Sequence, residues 1–110
     1  MTVHTMSLKE KYFNLIFNKK KTVELRLYDE KRKQIQVGDK IKFVNNTASF
    51  EVLVKGLFLA RNFEELFRFV PVEKCGFDNK KEALEIMEQF YTKDMQKKEG
   101  VVGIIIEKDN

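Results

Sequence analysis

The chain holds one cysteine, one histidine and five scattered glycines in 110 residues, and each scarcity removes a class of chemistry. Cys75 alone can neither close an intramolecular disulfide nor assemble a cysteine-based metal set, a usage expected of a reducing compartment. It stands beside Gly76 with no histidine near it in sequence and reads as a partly buried small side chain. His4 would have to carry any histidine metal site or Ser-His-Asp triad unaided, so it reads as an ordinary strand residue. The glycines form neither G-x-G-x-x-G nor a Walker pattern. No stretch approaches the roughly 18 apolar residues of a membrane helix. The N-terminus lacks a basic segment leading into an apolar one, so the expected location is the cytoplasm, with no metal, cofactor or membrane partner. Repeats and low-complexity tracts are absent as well.

What is present suffices for a core. Hydrophobic residues make up 43% of the chain and ten of them are Phe, consistent with a single domain over residues 1–110 that folds without disulfides. The net charge of +4 conceals an asymmetry. Residues 1–55 carry 12 Lys/Arg against 6 Asp/Glu, or +6, and residues 56–110 carry 9 against 11, or −2. An N-terminal basic excess favours an anionic partner, because Lys and Arg contacts to phosphate dominate nucleic-acid affinity.

Periodicity then orders the chain. Val3–Met6 reads as a short strand, and Ser7 with Glu10 has the form of a capping box opening a helix whose stripe is Leu8, Tyr12, Leu15 and Ile16. From Thr22 to Tyr28 the period becomes two, with Val23, Leu25 and Leu27 on one face and Thr22, Glu24, Arg26 and Tyr28 on the other. A charged, irregular segment follows. Val37-Gly38-Asp39 then turns the chain into a strand from Lys40 to Val44, and Asn45-Asn46 into a longer one from Ser49 to Leu59. Asn62 with Glu65, and Asn79 with Glu82, open two helices on either side of Pro71. Ala83, Met87 and Phe90 form the core stripe of the second, flanked by Leu84, Ile86 and Tyr91. Thr92 caps a last helical turn, and the uniformly apolar Val101–Ile106 reads as a strand covered on both faces. The class is α+β, a curled or barrel-like sheet with one helix after the first strand and helices inserted before the last.

The strand at 22–28 carries the sharpest polar signal. Alternate residues on a strand lie about 7 Å apart, so Glu24 and Arg26 either flank one ligand or pair with each other. Arg26 can hold a phosphate or base edge bidentately, and Glu24 can accept from an amino group. The competing explanation is a solvated outer face whose charges blunt an edge strand.

The run Lys20-Lys21-Thr22-Val23-Glu24-Leu25-Arg26-Leu27-Tyr28-Asp29-Glu30-Lys31-Arg32, followed by Ile35-Gln36-Val37-Gly38-Asp39-Lys40-Ile41, resembles the signature of ASCH domains, of the PUA-like superfamily. His4-x-Met6-x-Leu8 and the stretch from Tyr91-Thr92 to Gly100-Val101-Val102-Gly103-Ile104 extend the resemblance along the whole chain. It implies a small PUA-like mixed β-barrel whose cleft is lined by the K-T-x-E-x-R strand and binds RNA or a nucleotide. Matched by position, Lys21, Thr22, Glu24 and Arg26 line that cleft. Lys20 and Arg32 of the flanking basic clusters are candidate phosphate contacts, and Tyr91 is a candidate stacking platform that also suits the core.

One branch of the family is an amidohydrolase acting on acetylated cytidine through a Lys, a nucleophilic Thr and a Glu. Lys21 matches that lysine, but the threonine position holds Glu24, and Thr22 lies one strand step away, about 7 Å from where a nucleophile is needed. The branch's glutamate lies in a helical stretch that has no fixed alignment with Glu73, Glu82 or Glu85. The expectation is therefore a binding module. The alternative is a hydrolase acting on a modified nucleoside or on RNA, with Lys21 and Glu24 as acid and base.

Overall fold

The computed structural model describes residues 1–109. Five strands form one sheet in the order β1-β3-β4-β5-β2. β1 (Val3–Ser7) and β3 (Lys40–Val44) run parallel, and β4 (Ser49–Ala60), β5 (Val101–Glu107) and β2 (Val23–Leu27) are antiparallel to their neighbours. Helix α1 (Glu10–Phe17) joins β1 to β2, while α2 (Phe63–Leu66), α3 (Lys80–Phe90) and α4 (Lys93–Glu99) lie between β4 and β5. Mixed α+β architecture with a half-barrel sheet is thus the observed fold, with the helices where the periodicities put them. Among the described residues no helix is long and apolar enough to cross a membrane.

The caps explain three helix starts. The side chains of Asn62, Asn79 and Thr92 accept from the backbone N–H of Glu65, Glu82 and Met95, satisfying donors that a helix start leaves orphaned. The Ser7 box does not form. Ser7 continues β1 against Val44, the Leu8 N–H donates to the Val44 carbonyl, and α1 starts at Glu10 without a side-chain cap. Pairing along a whole strand outweighs one local cap.

The sheet is packed on both faces. Val23, Leu25 and Leu27 of β2 join Phe63, Leu66 and Met87 of the helices in one cluster. The opposite face of β5, with Val102, Ile104 and Ile106, packs with Phe13 and Ile16 of α1 and Phe43 of β3 inside the half-barrel. Ile105 departs from the expected double cover, being 39% exposed. A register shift in β4 sets Gly56 opposite it, and a Cβ on Gly56 would lie 3.2 Å from Ile105 Cδ1, so this side chain rests on bare backbone.

Candidate functional site

In the antiparallel register Glu24 faces Ile104 and Arg26 faces Val102, so both polar side chains lie on the half-barrel's inner face. This rules out a solvated outer face: Glu24 is 4% exposed. β1 and β2 are the edges of the sheet, and its curl brings them together. Arg26 Nη2 donates to the Ser7 carbonyl at 3.0 Å, a side-chain clasp where no backbone ladder closes the seam.

Lys21 reaches the same point from the end of α1. After Asn18 the chain turns through Lys19 at φ +63°, and the N–H groups of Lys20 and Lys21 both donate to the Leu15 carbonyl. The Lys21 stem then lies against Gly76, where a Cβ would stand 3.3 Å from Lys21 Cδ, and the Thr22 N–H donates to the Lys74 carbonyl. The ammonium ends 3.1 Å from Glu24 Oε1, while Arg26 Nε sits 2.8 Å from Glu24 Oε2. One buried carboxylate therefore spans two cations, and the group carries a net positive charge.

Burial alone would push the Glu24 carboxyl up, but Lys21 and Arg26, through charge and hydrogen bonds, more than offset it and hold it below its ordinary value. For Arg26 the loss of solvent is likewise outweighed, by Glu24 and by Tyr91, and its value is raised. The folded-state carboxyl of Glu24 lies below the unfolded value of 4.5, so its stabilisation is complete above that pH and is lost as pH falls through the folded value. Asp39 and Glu65 shift in the same direction. The urea midpoint should therefore be flat from neutrality to about pH 5 and fall below it. Glu24→Gln should show a shallower acid decline, and an unchanged decline would remove Glu24 from this account.

A cavity of about 230 Å³ opens on this group. Its floor is Lys21, Glu24 and Arg26, with Ser7 and Leu8 of the β1 end at one side. Tyr12 of α1, Phe77 and, at the end of α3, Phe90 and Tyr91 supply aromatic walls. The Lys21 ammonium lies 4.7 Å from the Tyr12 ring centroid, and the Lys9 ammonium 4.8 Å from that of Phe90. Burial raises the Tyr12 and Tyr91 hydroxyls above their ordinary value.

Four candidates thus meet at the cavity: Lys21, Glu24, Arg26 and Tyr91. Three do not line it. Lys20 is exposed on the turn after α1. Thr22 lines a second concavity, with Lys19, Lys55 and Lys108, that Lys21 also borders. Arg32 pairs with Asp29 at 3.1 Å and acts on Tyr91 from outside the cavity. Glu73, Glu82 and Glu85 are not among the lining residues either. Tyr12, Phe77, Phe90 and Lys9 were not anticipated from the sequence. For Tyr12 a signal exists, a polar-tipped aromatic on an otherwise aliphatic stripe. Lys9 carries none.

The remaining candidates have structural partners. His4 Nε2 lies 2.8 Å from Asp39 Oδ2, and that carboxylate also accepts from the N–H groups of Gln36 and Thr2, tying β1 to the turn before β3. Cys75 is fully buried rather than partly, and burial pushes its thiol up to about 12, which makes it inert.

A model of the ASCH domain matches residues 6–109. The crystal structure of the hypothetical protein PH0355 is 38% identical, with a TM-score of 0.88 over 99% of this chain and 100% of that one. The solution structure of the protein PF0455 from Pyrococcus furiosus is 36% identical, with a TM-score of 0.79 over 97% of each chain. An ASCH protein from Zymomonas mobilis shares the fold at 12% identity, with a TM-score of 0.67 over 96% of this chain and 67% of that one. No curated protein matches the sequence.

Proposed function

The chain belongs to the ASCH domain family, and from that premise we propose that its cavity binds a nucleotide of single-stranded RNA. The observation that carries this reading is a net-positive, buried Lys21–Glu24–Arg26 group flooring a pocket with aromatic walls. Buried ion groups are a poor source of stability, because removing two or three charges from water costs about what their attraction returns. Placed at the floor of a cavity, such a group instead presents fixed charge to a ligand from which water is excluded. The aromatic walls offer faces on which a base can stack. At about 230 Å³ the cavity is smaller than the roughly 300–1,000 Å³ of a drug-sized pocket, which suits one base rather than a run of them. Lys9 at the mouth and the basic first half of the chain favour the phosphates on either side.

Hydrolysis fits the geometry less well. A general base works best with a value near the operating pH, whereas Glu24 is held low with each oxygen on a cation. The Thr22 hydroxyl belongs to a residue lining the other concavity.

Anisotropy titration of a labelled single-stranded RNA tests the binding reading. Affinity should fall between low and physiological salt, and Phe90→Ala should weaken it by about 5- to 100-fold, the range of one lost stacking contact. Phe90 is 39% exposed, so its truncation leaves the core largely intact. No binding at low salt, or full binding by Phe90→Ala, would contradict the proposal.

A further inference from the structure

We propose that the cavity floor favours hydrogen-bond acceptors over donors, so that it selects a base carrying a carbonyl in place of the exocyclic amino group at C4 or C6: uracil over cytosine, and guanine over adenine. The inference rests on the nucleotide-binding reading and specifies which nucleotide.

It follows from an account of the charged group at the floor and the carbonyls beside it. Lys21 has three N–H donors and no acceptor, and its ammonium lies 3.1 Å from Glu24 Oε1. The Arg26 guanidinium has five, of which Glu24 takes one and the Ser7 carbonyl another. The acceptors of this group are fewer, and each already has a partner. Both Glu24 oxygens already face a cation, the Ser7 carbonyl receives Arg26, and the Tyr91 carbonyl receives Gln96. Glu24 therefore does not read an amino group, the role its place on the strand suggested. It aims the two cations.

A ligand amino group pushed against this floor would meet chiefly N–H groups and positive charge, and would compete with Lys21 and Arg26 for oxygens they already hold. A buried donor left without a partner weakens binding. A carbonyl at the same place takes the unclaimed N–H groups of Lys21 and Arg26, as the O6 and N7 of guanine or the O4 of uracil can. The walls decide between a base and a bare oxyanion. Tyr12, Phe77, Phe90, Leu8 and Met87 surround the floor with apolar surface, which suits the faces of a planar ring and not a solvated phosphate.

Calorimetric titration of the full chain with the four ribonucleoside 5′-monophosphates, and with inorganic phosphate, tests this. The expected result is UMP tighter than CMP and GMP tighter than AMP, each by about tenfold or more, with little competition from phosphate. Equal affinity for all four, with phosphate competing, would place an oxyanion on the floor and overturn the inference while leaving nucleotide binding intact. A preference for CMP or AMP would also overturn it. If none of the four binds while single-stranded RNA does, the inference falls and the RNA reading stands; if neither binds, both fall.

Discussion

Glu24→Ala should destabilise the protein by about 3–5 kcal/mol, the range for breaking a buried ion group from one side. Glu24 is 4% exposed and Lys21 5%, so solvent has little access to screen the two cations left facing each other. Against a total stability of about 5–15 kcal/mol for a domain, this is a large fraction, and melting should drop by on the order of 15 °C. The loss is of partnership rather than packing, which a second variant separates. Replacing the whole group, as Lys21→Met with Glu24→Leu and Arg26→Met, should recover much of the stability, because apolar residues of similar volume often replace buried ion groups without loss. It should bind no RNA. Full RNA affinity in that triple variant would show that the charges serve only the fold.

Gly76→Ala should cost about 2–4 kcal/mol and should also weaken RNA binding. Two effects add at this position. Its φ of +89° is one that a residue with a Cβ adopts at a cost of about 1–2 kcal/mol. The new methyl would stand 3.2 Å from Leu15 Cδ1 and 3.3 Å from Lys21 Cδ, crowding the stem that carries the ammonium to Glu24. Urea unfolding measures the first consequence and RNA titration of the folded variant the second. A midpoint shift worth less than about 0.5 kcal/mol would mean that neither the backbone nor the Lys21 stem is held as described.

Much of this arrangement was legible in the sequence. Alternation at 22–28 gave β2 to within a residue or two, and three capping residues gave the starts of α2, α3 and α4. The resemblance in the K-T-x-E-x-R run brought Lys21, Glu24 and Arg26 forward as one group. Alternation cannot say which face of a strand is the inner one, and here the polar face is inner because β2 is the edge that Arg26 clasps to β1. Thr22 was grouped with Glu24 on the same alternation. It precedes the first residue of β2, where the chain is still leaving the turn at Lys19 and bonded to Lys74, so it lines the other concavity. The aromatic walls were hidden for a different reason. Tyr12 and Phe90 lie on helical stripes that read as core, and only the meeting of α1 with the end of α3 across an edge strand turns those stripes into a pocket.

The central claim, that this seam cavity is where a nucleotide binds, is tested most directly by mapping backbone amide shifts during titration with a short single-stranded RNA. The account predicts that the largest shifts cluster at Lys9, Tyr12, Lys21, Glu24, Arg26, Phe77 and Tyr91. Shifts centred instead on Lys19, Thr22, Lys55 and Lys108, or no shifts at saturating RNA, would contradict it.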